Sequence, residues 1–108
     1  MRFPKVLLLG ALTATASMSV ALAQAPDPQV LALGEHLSGE CTTCHRIDGT
    51  DNGIPPIVGW PAETFIAVMT SYKQGERTNQ AMISVAQSLD DPQLAALAAY
   101  FGSLKAKE

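Results

Sequence analysis

The chain has 108 residues, of which 47% are hydrophobic and 16% charged. Beyond residue 23, ten acidic side chains stand against five basic ones, an excess that argues against a nucleic-acid partner and against docking through a broad positive face. A chain of this length builds one domain with a modest core, so something beyond ordinary side-chain packing has to help it fold.

Residues 1–23 begin with Arg2 and Lys5, run through an apolar stretch over residues 6–12, and close on Ala21-Leu22-Ala23, the small-x-small pattern of a secretory cleavage site. This predicts a signal peptide, cleavage after Ala23 and a periplasmic domain over residues 24–108. A membrane anchor is the competing reading, but the apolar stretch falls short of the roughly 20 residues of a span. It also gives way to Thr13, Thr15, Ser17 and Ser19. A second frame, Ala23-Gln24-Ala25, would put Pro26 directly after the cut, where a proline fits the peptidase poorly.

Asp27-Pro28 predicts a helix start, with Asp27 as cap and Pro28 in the first turn. Val30, Leu31, Leu33 and Leu37 form an apolar stripe leading into Cys41. His36 reads as a polar residue on the exposed side of this helix. Cys41 and Cys44 are the two cysteines, and a disulfide between them would close too small a loop to contribute much stability. With His45 they form Cys41-Thr42-Thr43-Cys44-His45, the C-x-x-C-H pattern of covalent c-type haem attachment. On a helix these residues lie at i, i+3 and i+4, so two thiols and an imidazole project from one side of one turn. The thiols would add to the haem vinyl groups and the imidazole would bind iron. A thioredoxin-like thiol–disulfide pair would want a βαβ pattern, and no β-rich run is present. Zinc would want further Cys or His ligands, and His36 is the one such residue outside the motif.

The Gly, Asn, Asp and Pro density of residues 48–56 predicts an irregular loop. A second helix starts at Pro61, carries Phe65, Ile66, Val68, Met69 and Tyr72 toward the core, and ends near Gly75. After a loop over residues 77–80, a third helix begins around Met82 with Ile83, Val85, Ala86 and Leu89 as its apolar positions. Asp91-Pro92 repeats the cap-and-proline signature, followed by Leu94, Leu97, Tyr100, Phe101 and Leu104. The expectation is an all-α fold of about four helices around one haem.

An electron-transfer haem needs a second axial ligand, and a His/Met pair raises the reduction potential. Met69 and Met82 are the two methionines of the predicted mature chain. Met69 is explained as flexible core filler. Met82 follows a polar stretch and is aimed from an element boundary, which favours it as the iron ligand.

The run from Tyr72 through Gly75, Arg77 and Asn79 to Met82, then Val85-Ala86 and Leu97-Ala98-Ala99-Tyr100-Phe101, resembles the second half of short bacterial class I c-type cytochromes. Gly34 and Pro55-Pro56-Ile57-Val58-Gly59 match as well, so the likeness spans nearly the whole mature chain. The resemblance implies that Met82 is the distal ligand. It implies that Gly34 and Tyr100 meet where the first and last helices cross. It also implies that the carbonyl of Pro55, or of the adjacent Pro56, accepts a hydrogen bond from the ligating His45. Trp60 and Arg77 become candidates for hydrogen bonds to the haem propionates. Filled axial positions imply one-electron transfer without bond-making catalysis. Within the class the pattern is similar to the small cytochrome subunit of flavocytochrome c sulfide dehydrogenase, which implies a redox partner protein, a flavoprotein among the candidates. A free carrier fits the same pattern. The reading from a different class is a haem-free thiol–disulfide protein working through Cys41 and Cys44.

Overall fold

Asp27 opens the first helix, α1 (Pro28–Leu37), as its pairing with Pro28 predicts: its carboxylate accepts the Gln29 N–H at 2.7 Å and Pro28 needs no N–H partner. The structure, a computed structural model, describes residues 2–4, 10–17 and 25–106. The cleavage motif Ala21-Leu22-Ala23 and most of the apolar stretch before it lie outside the described residues. Among the described residues no helix is long and apolar enough to cross a membrane.

Helix α1 does not run on into Cys41. It stops at Ser38, whose hydroxyl bonds the Glu35 carbonyl at 2.6 Å while its N–H is shared by the Gly34 and Glu35 carbonyls. A serine that turns back on the preceding carbonyls competes with the helical ladder, and Gly39 behind it restarts the chain as a single turn, α2 (Gly39–Thr42). Helix α3 (Ala62–Lys73) follows the long loop, then α4 (Gln80–Gln87) and α5 (Asp91–Ser103). The fold is all-α: four helices of eight residues or more and the one-turn α2, with no strand among the described residues.

The most extensive helix contact joins α1 to α5, the first and last elements. It depends on Gly34, where a Cβ would come within 2.6 Å of Tyr100 Cβ and would press into the Ala96 carbonyl. The missing side chain thus admits the α5 backbone at Ala96 as much as Tyr100. Around this crossing α5 buries Leu94, Leu97, Ala98 and Phe101, the last with no exposure at all. Phe65 of α3 stacks on Phe101 with ring centroids 5.8 Å apart, and Tyr100 meets Phe101 edge-on at 5.4 Å. Ile57 and Val58 complete the core from the loop. They are held there because the Gly59 N–H donates to the Phe101 carbonyl at 2.8 Å, with Gly59 at φ 76°, a backbone only glycine adopts readily.

Three expected core positions prove exposed. Leu33 (41%) and Val30 (38%) lie off the contact with α5: Leu33 is more than a quarter turn from Gly34, and Val30 one turn nearer the open end. Ile66 (36%) follows Phe65 by one residue and points away from the face formed by Phe65, Met69 and Tyr72.

Two helix starts also move. Helix α4 begins at Gln80 rather than near Met82, because Asn79 caps it. Helix α5 is capped by Asp90, one residue before the Asp91 of the expected signature. Asp90 accepts the Gln93 N–H at 2.8 Å and the Gln93 side chain accepts the Asp90 N–H at 2.9 Å, a reciprocal pair that Asp91 is out of register to form. Asp90→Ala is expected to lower stability by about 1 kcal/mol, seen as a melting temperature roughly 4–8 °C lower. Lys73, half-buried at the end of α3, donates to the Leu89 carbonyl and ties α3 to the turn between α4 and α5.

Candidate cofactor site

The C-x-x-C-H residues keep helical spacing although α2 ends at Thr42. The Cys44 N–H donates to the Cys41 carbonyl at 3.1 Å and the His45 N–H to the same oxygen at 2.8 Å. Both threonine hydroxyls turn back to the Gly39 carbonyl, Thr43 at 3.1 Å, so the residues between the cysteines are engaged with the backbone. Cys41, Cys44 and His45 all line one cavity of about 350 Å³. Burial pushes the Cys41 thiol up to about 11, with the Glu40 carboxylate adding to the rise. Cys41 is therefore not placed as an activated thiolate. Among the described residues no group of three or more His, Cys, Asp and Glu side chains comes together as a metal cage, which leaves a zinc site without ligands.

The ring of His45 is oriented by the loop that follows it. Asp48 accepts the Thr50 N–H at 3.0 Å and its hydroxyl at 2.7 Å, Asp51 accepts the Gly53 N–H at 2.7 Å, and Asn52 accepts the Ile54 N–H at 3.3 Å. These successive side-chain turns are what the Asp, Asn and Gly density of the loop encodes. The Thr50 N–H and hydroxyl, with Arg46 at 3.2 Å, hold the Asp48 carboxyl down at about 2. The folded loop delivers Pro55, whose carbonyl oxygen accepts from His45 Nδ1 at 2.6 Å. A carbonyl can only accept, so Nδ1 carries the proton and Nε2 is the nitrogen left to bind a metal.

The other walls come from α3, which presents Phe65, Val68, Met69 and Tyr72, and from the start of α4, which presents Met82. Helix α2 packs on α1 and α4 packs on α3, and the two make no helix contact with each other. The motif and Met82 thus reach the cavity from different helix pairs. Both methionines line the cavity: Met69 is buried in the core and Met82 is half-buried. Trp60 and Arg77 line it as well. Arg77 donates from Nε to the Ser71 hydroxyl at 2.9 Å and lies 5.5 Å from the centre of the Tyr72 ring. His36 is exposed on α1, away from this lining. Sequence reasoning missed Asn79, which lines the cavity and accepts the Met82 N–H at 3.1 Å. Its signal was a good capping residue three places before the methionine.

No family model matches the chain. It is, however, 32% identical over 102 residues to the cytochrome subunit of sulfide dehydrogenase from Chlorobaculum tepidum, an alignment covering 94% of this chain and 93% of the relative. The chain belongs to the short class I c-type cytochromes. The cytochrome is also 35% identical over 79 residues to cytochrome c-554(548) of Halomonas halodenitrificans, covering 67% of its own length and 93% of the relative. A third likeness, 32% over 74 residues, is to the thiosulfate dehydrogenase electron acceptor of Stutzerimonas stutzeri; it covers 64% of the cytochrome and 34% of that longer protein. Membership implies a covalently attached haem c. The residues present fit that group: an apolar cavity with two thiols and a metal-ready imidazole together in its lining.

Proposed function

We propose that the cytochrome transfers single electrons in the periplasm through one haem c, bound covalently by Cys41 and Cys44, with His45 and Met82 as the axial ligands of its iron. The observation that carries this is the shared cavity, lined by Cys41, Cys44 and His45 and by Met82 from the start of α4. The haem supplies the one-electron couple. The chain supplies the rest: the thiols retain the group, and the Pro55 carbonyl fixes the His45 ring and raises its basicity. Met82 would supply the second iron ligand, the apolar lining would limit water at the metal, and Trp60 and Arg77 would hold the propionates. A haem held by both ligands would serve one-electron transfer.

Its partner is an oxidoreductase that delivers electrons from a reduced sulfur compound through a flavoprotein, with the cytochrome bound as a subunit or acting as a free acceptor. The likeness to a subunit of sulfide dehydrogenase and to an electron acceptor of thiosulfate dehydrogenase supports the sulfur-oxidising partner, and the flavoprotein follows from the sequence resemblance alone. Residues 1–23 direct export and are removed, leaving residues 24–108. Intact mass of the exported protein tests that boundary, and co-purification with a flavoprotein separates subunit from carrier.

The ligand assignment is tested by spectroscopy of the exported protein. Ferric wild-type cytochrome should show the weak far-red band of methionine–iron coordination. Met82→Ala should lose it and lower the reduction potential, while Met69→Leu should keep it. A band removed by the Met69 substitution and untouched by the Met82 one would reverse the assignment. A colourless wild-type protein would refute the haem itself.

A further inference from the structure

Helix α4 has only eight residues and packs on one other helix, α3. Isolated helices shorter than about 12–15 residues are marginal in water, and their first turn is where unpaired N–H groups concentrate. In α4 that first turn hangs on a single residue. The Asn79 side chain accepts the Met82 N–H at 3.1 Å and the Asn79 carbonyl accepts the Ile83 N–H at 2.9 Å. Asn79 itself is extended, at φ −69° and ψ 112°, and the preceding residues 76–78 are exposed. Lys73 secures the far end of the segment through the Leu89 carbonyl, so the end carrying Met82 is the one left to the cap.

We infer that Asn79 is a positioning residue for the axial methionine: by capping α4 through the Met82 N–H itself, it sets how often the Met82 thioether is withdrawn from the iron. The inference rests on Met82 being the ligand, as proposed above. Its physical content is that opening of the first turn of α4 and release of the methionine are one event. An added iron ligand can bind only when the methionine is off, so its apparent affinity measures the open fraction.

The test is imidazole binding to the ferric holoprotein, followed by loss of the far-red band. Asn79→Ala should bind imidazole roughly fivefold more tightly than wild type, the factor that loss of one side-chain cap carries. Asn79→Asp keeps an acceptor of the same size and should restore the wild-type affinity. Because Asn79 also lines the cavity, thermal melting supplies a readout independent of imidazole access. In Asn79→Ala the far-red band should vanish at a lower temperature than the helical circular dichroism, while in wild type the two should coincide. Asp90→Ala removes an equivalent cap from α5 and should lower the melting temperature without changing imidazole affinity. Should Asn79→Ala fail to accumulate, Asn79→Gly, a milder loss of cap, should show a smaller shift in the same direction. A wild-type band that responds to Met82→Ala, together with unchanged imidazole affinity and coincident melting in the Asn79 variants, would overturn this inference and leave the ligand assignment standing. A wild-type band that ignores Met82→Ala would overturn both.

Discussion

Cys41→Ala combined with Cys44→Ala is expected to yield a colourless chain that has lost most of its helical circular dichroism. The cavity these cysteines line measures about 350 Å³ and its walls include Phe65, Met69 and Ile57, which are core residues. Without the cofactor these apolar walls face water and the helices that carry them lose the body they pack against. A chain of this size has a modest core to begin with, so the loss falls on a marginal fold. Each single variant keeps one attachment and should stay red in acid–acetone, with lower yield. Circular dichroism and a haem stain on denatured protein measure both outcomes. A colourless double variant with wild-type dichroism and melting temperature would contradict the reading in which the cofactor completes the core.

Gly34→Ala is expected to be the most damaging single substitution outside the cavity. The added methyl would sit 2.6 Å from Tyr100 Cβ and against the Ala96 carbonyl, and neither can yield as the far end of a flexible side chain could. Relief requires α1 and α5 to separate along their contact. Overpacking of this kind costs about 1–3 kcal/mol and sometimes more; with backbone on one side the upper end applies, a fall in melting temperature of about 10–20 °C. Thermal melts followed by the far-ultraviolet signal would measure it. A shift within a few degrees of wild type would mean that the crossing tolerates translation and that the glycine is not required there.

The parts of the fold that the sequence disclosed were those written in local chemistry. Asp27-Pro28 marks a helix start because both residues act within one turn, and the C-x-x-C-H spacing projects its three groups to one side whether or not the helix continues. The displaced boundaries are places where two local signals compete. Asp90 and Asp91 are both capping residues, and the tie is broken by Gln93, which stands three residues after Asp90. Residues 77–80 read as a polar loop because nothing in their composition shows that Asn79 takes the Met82 N–H. The exposure of Leu33, Val30 and Ile66 was not legible for a different reason. Periodicity reports that a helix has an apolar face, whereas how much of that face is covered depends on where its partner crosses, and the crossing is set at Gly34 by a residue with no side chain. Within the cavity, the motif and Pro55 could be read from the residues and their resemblance; the sharing of the lining by Met69 and Met82 required the fold.

The pairing of α1 with α5 also constrains when the fold can close. The two helices stand at opposite ends of the domain, so their contact spans the longest stretch of chain of any helix pair and carries the largest loop-closure cost. In a chain delivered N-terminus first, α1 and the adjoining motif emerge with nothing to pack against until Asp91–Ser103 has followed. The contact that organises α1 is thus the last one a chain made in this order can complete.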